Sequence, residues 1–163
     1  MQKAVILLDG PIGVGKSTLG RAAAASLGYG LIDGDNLSAP GYWLRSILQT
    51  NRGIARAAQD KLQSQTAVIV SYPIRCTNWI FFQKTFARAG IECRCIGLIA
   101  DMAHIAARQR VLSSDEIARS REMIDQGYGQ RAFSDFIVRT DGAGFDETCA
   151  QLTMKIRQVL RRR

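Results

Sequence analysis

At 163 residues the chain is long enough for one domain with a full hydrophobic core and short for two. Hydrophobic residues make up 47% and charged residues 22%, which excludes a disordered chain, and no apolar stretch reaches the roughly 20 residues that cross a bilayer. Lys and Arg outnumber Asp and Glu by 22 to 14, a net charge of +8 that fits either a nucleic-acid surface or a set of arginines gripping a nucleotide and an anionic substrate.

The first element is predicted directly after Met1-Gln2-Lys3, which leaves no room for a signal or transit peptide and points to the cytoplasm. Ala4-Val5-Ile6-Leu7-Leu8 is apolar on both faces and reads as a buried parallel strand over 3–9. Next comes Gly10-Pro11-Ile12-Gly13-Val14-Gly15-Lys16-Ser17, which fits G-x-x-x-x-G-K-[ST]. An Ala-rich helix follows over 16–27, so the motif sits between strand and helix as its chemistry requires. In such a loop the glycines let backbone N–H groups face phosphate oxygens, and the helix N-terminus adds positive potential. Lys16 reaches the phosphates and the Ser17 hydroxyl ligates Mg²⁺, so the chain is expected to bind ATP through Gly10, Gly13, Val14, Gly15, Lys16, Ser17 and Thr18.

The remaining elements alternate. A strand is expected at 30–33, helical segments from about 42 to 64, a strand at 66–71, a helix at 77–89 and a strand at 91–100. Helices at 101–112 and 114–126, a strand at 135–140 and a helix at 145–162 complete the chain. Gly28 and Gly90 stand where helices end, and Ser113-Ser114-Asp115-Glu116 is a capping box. The pattern predicts a three-layer α/β/α sandwich with a five-stranded parallel sheet. Arg157, Arg161, Arg162 and Arg163 put much of the excess charge in the last helical turn, where it complements the helix dipole. Cys76, Cys93, Cys95 and Cys149 lack the second pair or the histidines of a zinc site and read as buried thiols. His104, the one histidine, has no evident partner in the sequence.

In a parallel sheet, ligands gather at the carboxyl ends of the strands. Three polar clusters fall there beside the glycine loop: Asp33-Gly34-Asp35, Ser71-Tyr72-Pro73-Ile74-Arg75, and Asp101. Phosphoryl transfer needs a phosphate clamp, a metal, an acceptor held in line and a carboxylate to take its proton. Of Asp33 and Asp35, one can hold a Mg²⁺-bound water while the other orients or deprotonates the hydroxyl; the plainer reading is an Asx turn with solvated carboxylates.

The run Gly10-x-x-Gly13-x-Gly15-Lys16-Ser17-Thr18, with Leu31-Ile32-Asp33-Gly34-Asp35-Asn36-Leu37, resembles the small P-loop metabolite kinases. Shikimate, gluconate and adenylylsulfate kinases share this layout, and adenylate kinase does so more distantly. The resemblance spans nearly the whole chain in element order, but only these two motifs are specific. It implies a nucleoside-monophosphate-kinase-like fold with a helical lid at about 111–131 and an acceptor segment at about 36–64, in a single kinase domain over 1–163. It also implies Asp35 as base, and Asp33 on the metal side with Ser17. Arg75 binds the acceptor's anion, with Arg45, Arg52 or Arg56 assisting. Arg108 and Arg110 meet ATP, and Arg119, Arg121 or Arg131 swings in from the lid, with Gly127-Tyr128-Gly129 as a flexible joint. Phe136 to Gly142 is similar to the terminal strand and turn of shikimate kinase, which pass near adenine.

Three departures bear on the acceptor. The third strand ends in Ser71 rather than an acid. Ser38-Ala39-Pro40-Gly41 lacks the arginine of adenylylsulfate kinase, and no glycine triplet of the shikimate type follows the third strand. Tyr42 and Trp43 add aromatic surface that either stacks on a ring or packs against helix. The reading is an ATP- and Mg²⁺-dependent phosphotransferase acting on a hydroxyl of a small anionic metabolite. No membrane or nucleic-acid partner is expected, and the chain works as a monomer or homodimer. The alternatives are a nucleoside monophosphate kinase, a polynucleotide 5′-hydroxyl kinase and a non-catalytic nucleotide-binding protein.

Overall fold

The computed structural model describes residues 2–38, 41–108 and 111–161, apart from the side chain of Trp43. The expected alternation is present: β1 (Ala4–Asp9), α1 (Lys16–Leu27), β2 (Gly30–Asp33), a 3₁₀ turn (Gly34–Leu37), α2 (Trp43–Lys61), β3 (Ala67–Ser71) and α3 (Cys76–Arg88). It continues through β4 (Glu92–Ile99), α4 (Met102–Ala106), α5 (Ser114–Asp125), β5 (Phe136–Arg139) and α6 (Phe145–Arg161). The five strands form one all-parallel sheet in the order β2-β3-β1-β4-β5. The glycine-loop strand lies at its centre, every residue of it buried.

Alternation along the strands divides the core in two. Ile6, Leu8, Ile69, Ile96 and Leu98 face α1 and α6, meeting Leu19, Ala23, Leu152 and Ile156. Val5, Leu7, Val68, Val70 and Cys95 face α2 and α3, meeting Ile54, Ala58, Leu62, Phe82 and Phe86. Burying each of these large side chains contributes about 1.5–3 kcal/mol, so both faces are needed to offset chain entropy. Gly28 and Gly90 close α1 and α3, and Ser113 caps α5 by accepting from Glu116 N at 3.1 Å, as the sequence predicts.

The helix expected over 101–112 is a correction. Among the described residues of that stretch only Met102–Ala106 is regular helix, and the chain turns at Ala107–Arg108. Arg108 is drawn off the helix by the bonds described below. Gly127-Tyr128-Gly129 is the second difference, because this segment is packed rather than jointed. Gly129 is left-handed (φ 84°) and lies so close to β4 that any side chain there would strike the Leu98 carbonyl. Its N–H donates to Asp9 Oδ2 at 2.9 Å.

Asp9 was not singled out by the sequence, yet it ties three segments together. Fully buried at the end of β1, it also accepts from Ile74 N at 2.7 Å. Burial pushes its carboxyl up, against the pull of those two N–H groups and of Lys16 and Arg131 nearby. Asp9→Ala leaves two buried donors unpaired, and a loss of about 2–4 kcal/mol in urea unfolding is expected.

Two of the thiols, Cys93 and Cys95, are inert by environment, whereas Cys76, expected buried, is exposed. Burial, and then the charge of Asp135, pushes Cys93 up to about 12, and burial raises Cys95 well above its usual value. Of the four free cysteines only Cys76 is exposed. Titration with a thiol reagent at pH 8 is therefore expected to label Cys76 first, and Cys93 and Cys95 only after unfolding.

Candidate functional site

The site lies where the sheet's carboxyl ends meet the start of α1. Gly15 takes a left-handed φ of 109° as the N-cap of α1, which aims the loop across the helix N-terminus. Lys16, nearly buried, folds back so that Nζ donates to the carbonyls of Gly10 (2.7 Å) and Pro11 (2.9 Å). Ser17 Oγ donates to Asp33 Oδ2 at 2.8 Å and sits 3.2 Å from Ser71 Oγ. A hydroxyl at the tip of β3 and a carboxylate from β2 thus meet the loop serine where no acid ends β3. Asp33 also accepts from Asp35 N at 3.2 Å, so the Asx turn is real, and the same turn sends Asp35 into the cleft.

A cavity of about 510 Å³ opens here, lined by Gly13, Gly15, Lys16, Ser17 and Thr18 on one side and by Asp35, Ser38, Ile47, Tyr72, Arg75 and Tyr128 on the other. Glu116, Arg119 and Met123 of α5 form its roof. Burial, and then the charge of Asp35, raises the Tyr72 phenol, so it stays protonated beside that carboxylate. Arg75 Nε donates to Tyr128 Oη at 2.6 Å.

A second cavity of about 720 Å³ lies beyond Arg108, between Gly15, Thr18, Thr140, Asp141 and Phe145. Arg108 walls it from the first. Its Nη1 donates to Val14 O at 2.8 Å and its Nη2 to Thr140 Oγ1 at 2.8 Å, while Thr140 Oγ1 donates to Val14 O at 2.9 Å. Partial burial lowers the Arg108 pKa, and no pH of practical interest deprotonates it. At the rim, Arg139 Nη1 spans Asp141 (3.0 Å) and Asp101 (3.4 Å), and His104 Nδ1 lies 3.6 Å from Asp141. Burial opposes ionisation of Asp141, but the Asp101 N–H and Arg139 hold its carboxyl below the usual value. These three side chains have ligating atoms within 4.8 Å of one another, but a guanidinium already lies against both carboxylates.

Several arginines expected at the site are elsewhere. Arg45 and Arg121 are exposed and line neither cavity, and Arg52 and Arg56 belong to α2 away from both. Arg131 donates to Gln126 O at 2.7 Å and stacks 4.4 Å from the centroid of the Tyr128 ring, outside the cavity. Arg119 lines the cavity and pairs with Glu122 at 2.8 Å. Arg110 lies outside the described residues, as does the Trp43 side chain, while Tyr42 is exposed. Sequence reasoning placed Thr140 in the terminal strand and Tyr128 in a joint without giving either a contact, and missed Ser120, whose hydroxyl donates to Ile12 O at 2.7 Å and seats α5 on the loop. An acid ending a strand otherwise apolar on both faces was the one available signal for Asp9.

This five-stranded parallel sheet with its glycine loop and capping helix is the fold of the P-loop small-molecule kinases. The chain is similar to a gluconokinase from Sinorhizobium meliloti 1021 at 19% identity, with 95% of each chain covered and a TM-score of 0.59. It is similar to the APS kinase CysC of Mycobacterium tuberculosis in complex with AMPPNP and APS, at 17% identity, covering 96% of this chain and 98% of that one, with a TM-score of 0.69. A shikimate kinase from Acinetobacter baumannii in complex with shikimate matches at 16% identity, covering 98% and 93%, with a TM-score of 0.56. No family model matches the sequence, and no curated protein matches it.

Thr140→Val removes the hydroxyl that accepts from Arg108 and donates to the Val14 carbonyl, and keeps the side chain's shape. A loss of about 1–3 kcal/mol in urea unfolding is expected.

Proposed function

We propose that the chain is an ATP-dependent kinase that transfers the γ-phosphoryl group to a hydroxyl of a small metabolite bearing an anionic group. The observation that carries this reading is the cavity with the phosphate loop on one wall and Asp35 with Arg75 on the other. The second cavity, across Arg108, supports a place for the donor's base and sugar, so that donor and acceptor lie in line through the loop.

The residues suit each task. The Gly13 to Thr18 backbone and Lys16 would hold the donor phosphates. Ser17 Oγ and Asp33, an all-oxygen pair 2.8 Å apart, fit Mg²⁺, which when bound neutralises phosphate charge. Asp35, on the acceptor side, would accept the hydroxyl proton as oxygen attacks the γ-phosphorus and the bond to the leaving diphosphate breaks. Arg75 would bind the acceptor's charged group and Arg119 would face the transferring one. Arg108 would hold the loop in shape through the Val14 carbonyl.

The test is a screen of hydroxyl compounds carrying carboxylate, sulfate or phosphate for ATP-dependent phosphorylation, with Lys16→Ala as blank. Asp35→Ala is expected to lower turnover by about 10²-fold or more while ATP affinity stays within a few-fold. Full turnover in Asp35→Ala would remove it as the base. Acceleration of ATP consumption only by nucleoside monophosphates, which need no base, would replace the hydroxyl acceptor with a phosphate.

A further inference from the structure

We infer that Arg75 and Tyr128 act as one preassembled anion clamp, in which Tyr128 is the positioning residue. This rests on reading the 510 Å³ cavity as the acceptor site, and adds how its anion is gripped. Arg75 is an exposed side chain on the edge of the cleft, where a free arginine would sample many rotamers. Here its Nε–H is committed to Tyr128 Oη at 2.6 Å. Among the described residues no protein group engages its two terminal nitrogens, so the terminal N–H that runs parallel to Nε–H is left for an anion oxygen. Because Tyr128 Oη accepts that bond, its own proton is left to donate, and no described group takes it. Both residues line the cavity, and that terminal N–H and the Tyr128 hydroxyl make a two-point site for one oxygen of a carboxylate, sulfate or phosphate group.

The register of the two halves is fixed from beneath. Asp9 binds the N–H of Ile74, the residue before Arg75, and the N–H of Gly129, the residue after Tyr128. One buried carboxylate therefore sets both partners. The Tyr128 ring is held as well, 3% exposed with the Arg131 guanidinium stacked on it. Fixing the arginine before binding lowers the ordering cost when the anion arrives.

The experiment uses ¹⁵N-labelled full chain saturated with AMPPNP and Mg²⁺, so that the phosphate loop is filled, and titrates it with sodium sulfate. The readout is the Arg75 Nε–Hε resonance. The wild-type protein is expected to show a saturable shift. Tyr128→Phe, which keeps the ring, is expected to weaken sulfate binding about 5- to 10-fold with AMPPNP affinity within twofold. Equal sulfate affinity in Tyr128→Phe overturns the clamp while leaving Arg75 as an anion site. A parallel loss of AMPPNP affinity reduces Tyr128 to a structural role and also overturns it. An Arg75 resonance indifferent to sulfate in the wild-type protein overturns the acceptor-site reading itself. If Tyr128→Phe does not fold, Hε exchange in the wild-type protein reads the same bond: exchange slower than at exposed Arg45 supports the clamp, and an equal rate overturns it.

Discussion

The Asp9 carboxylate holds the working end of this molecule together. Burial of a charge at the tip of the central strand is costly, and two backbone donors with the nearby charges of Lys16 and Arg131 oppose that cost without cancelling it. What it provides is geometry. The turn after β3 and the segment after α5 come from distant parts of the chain, and each is tied by one N–H to the same side chain. A leucine there would satisfy the core and leave both segments without a common reference.

A second bracket secures the other flank. Thr140, at the end of β5, and Arg108 converge on the Val14 carbonyl, while Ser120 of α5 takes the Ile12 carbonyl. The phosphate loop's outward-facing carbonyls are thus claimed by three separate elements. This keeps its shape from depending on glycine alone, because the residues that give the loop its turn also make it floppy. Electrostatics follow the same division. Cations line the loop and the Arg75 rim, carboxylates stand at Asp33 and Asp35, and Arg45, Arg52, Arg56 and Arg121 lie exposed on helices outside both cavities.

Much of this was legible in the residues. β1, α1 and β2 were readable to within a residue, because an apolar run, a phosphate-loop motif and an Asp-Gly-Asp turn each leave a local signature. The kinase resemblance put Ser17 and Asp33 on the same side of the site, and the structure joins them by a hydrogen bond. The lid arginines did not follow. Arg119, Arg121 and Arg131 carry the same charge in the sequence, and only the facing of α5 and the ring of Tyr128 separate one that lines the cavity from two that do not. Likewise Gly127-Tyr128-Gly129 suggests freedom by composition, yet close approach to β4 makes Gly129 a packing requirement. The helix after β4 was overlong because nothing local announces that Arg108 will leave it for a carbonyl 94 residues away in sequence.

The strand order carries a consequence for how the chain reaches this state. β1 comes first from the ribosome and ends at the centre of the sheet, but its neighbours begin only at Ala67 and Glu92. Until those segments emerge, a six-residue run with no polar side chain before Asp9 has nothing to pair with, and the loop it supports has no scaffold. All four strand pairings join segments distant in sequence, a topology that folds slowly and exposes apolar side chains and unpaired strand edges meanwhile. The same centrality that makes the finished loop rigid leaves its strand the longest unprotected part of the nascent chain.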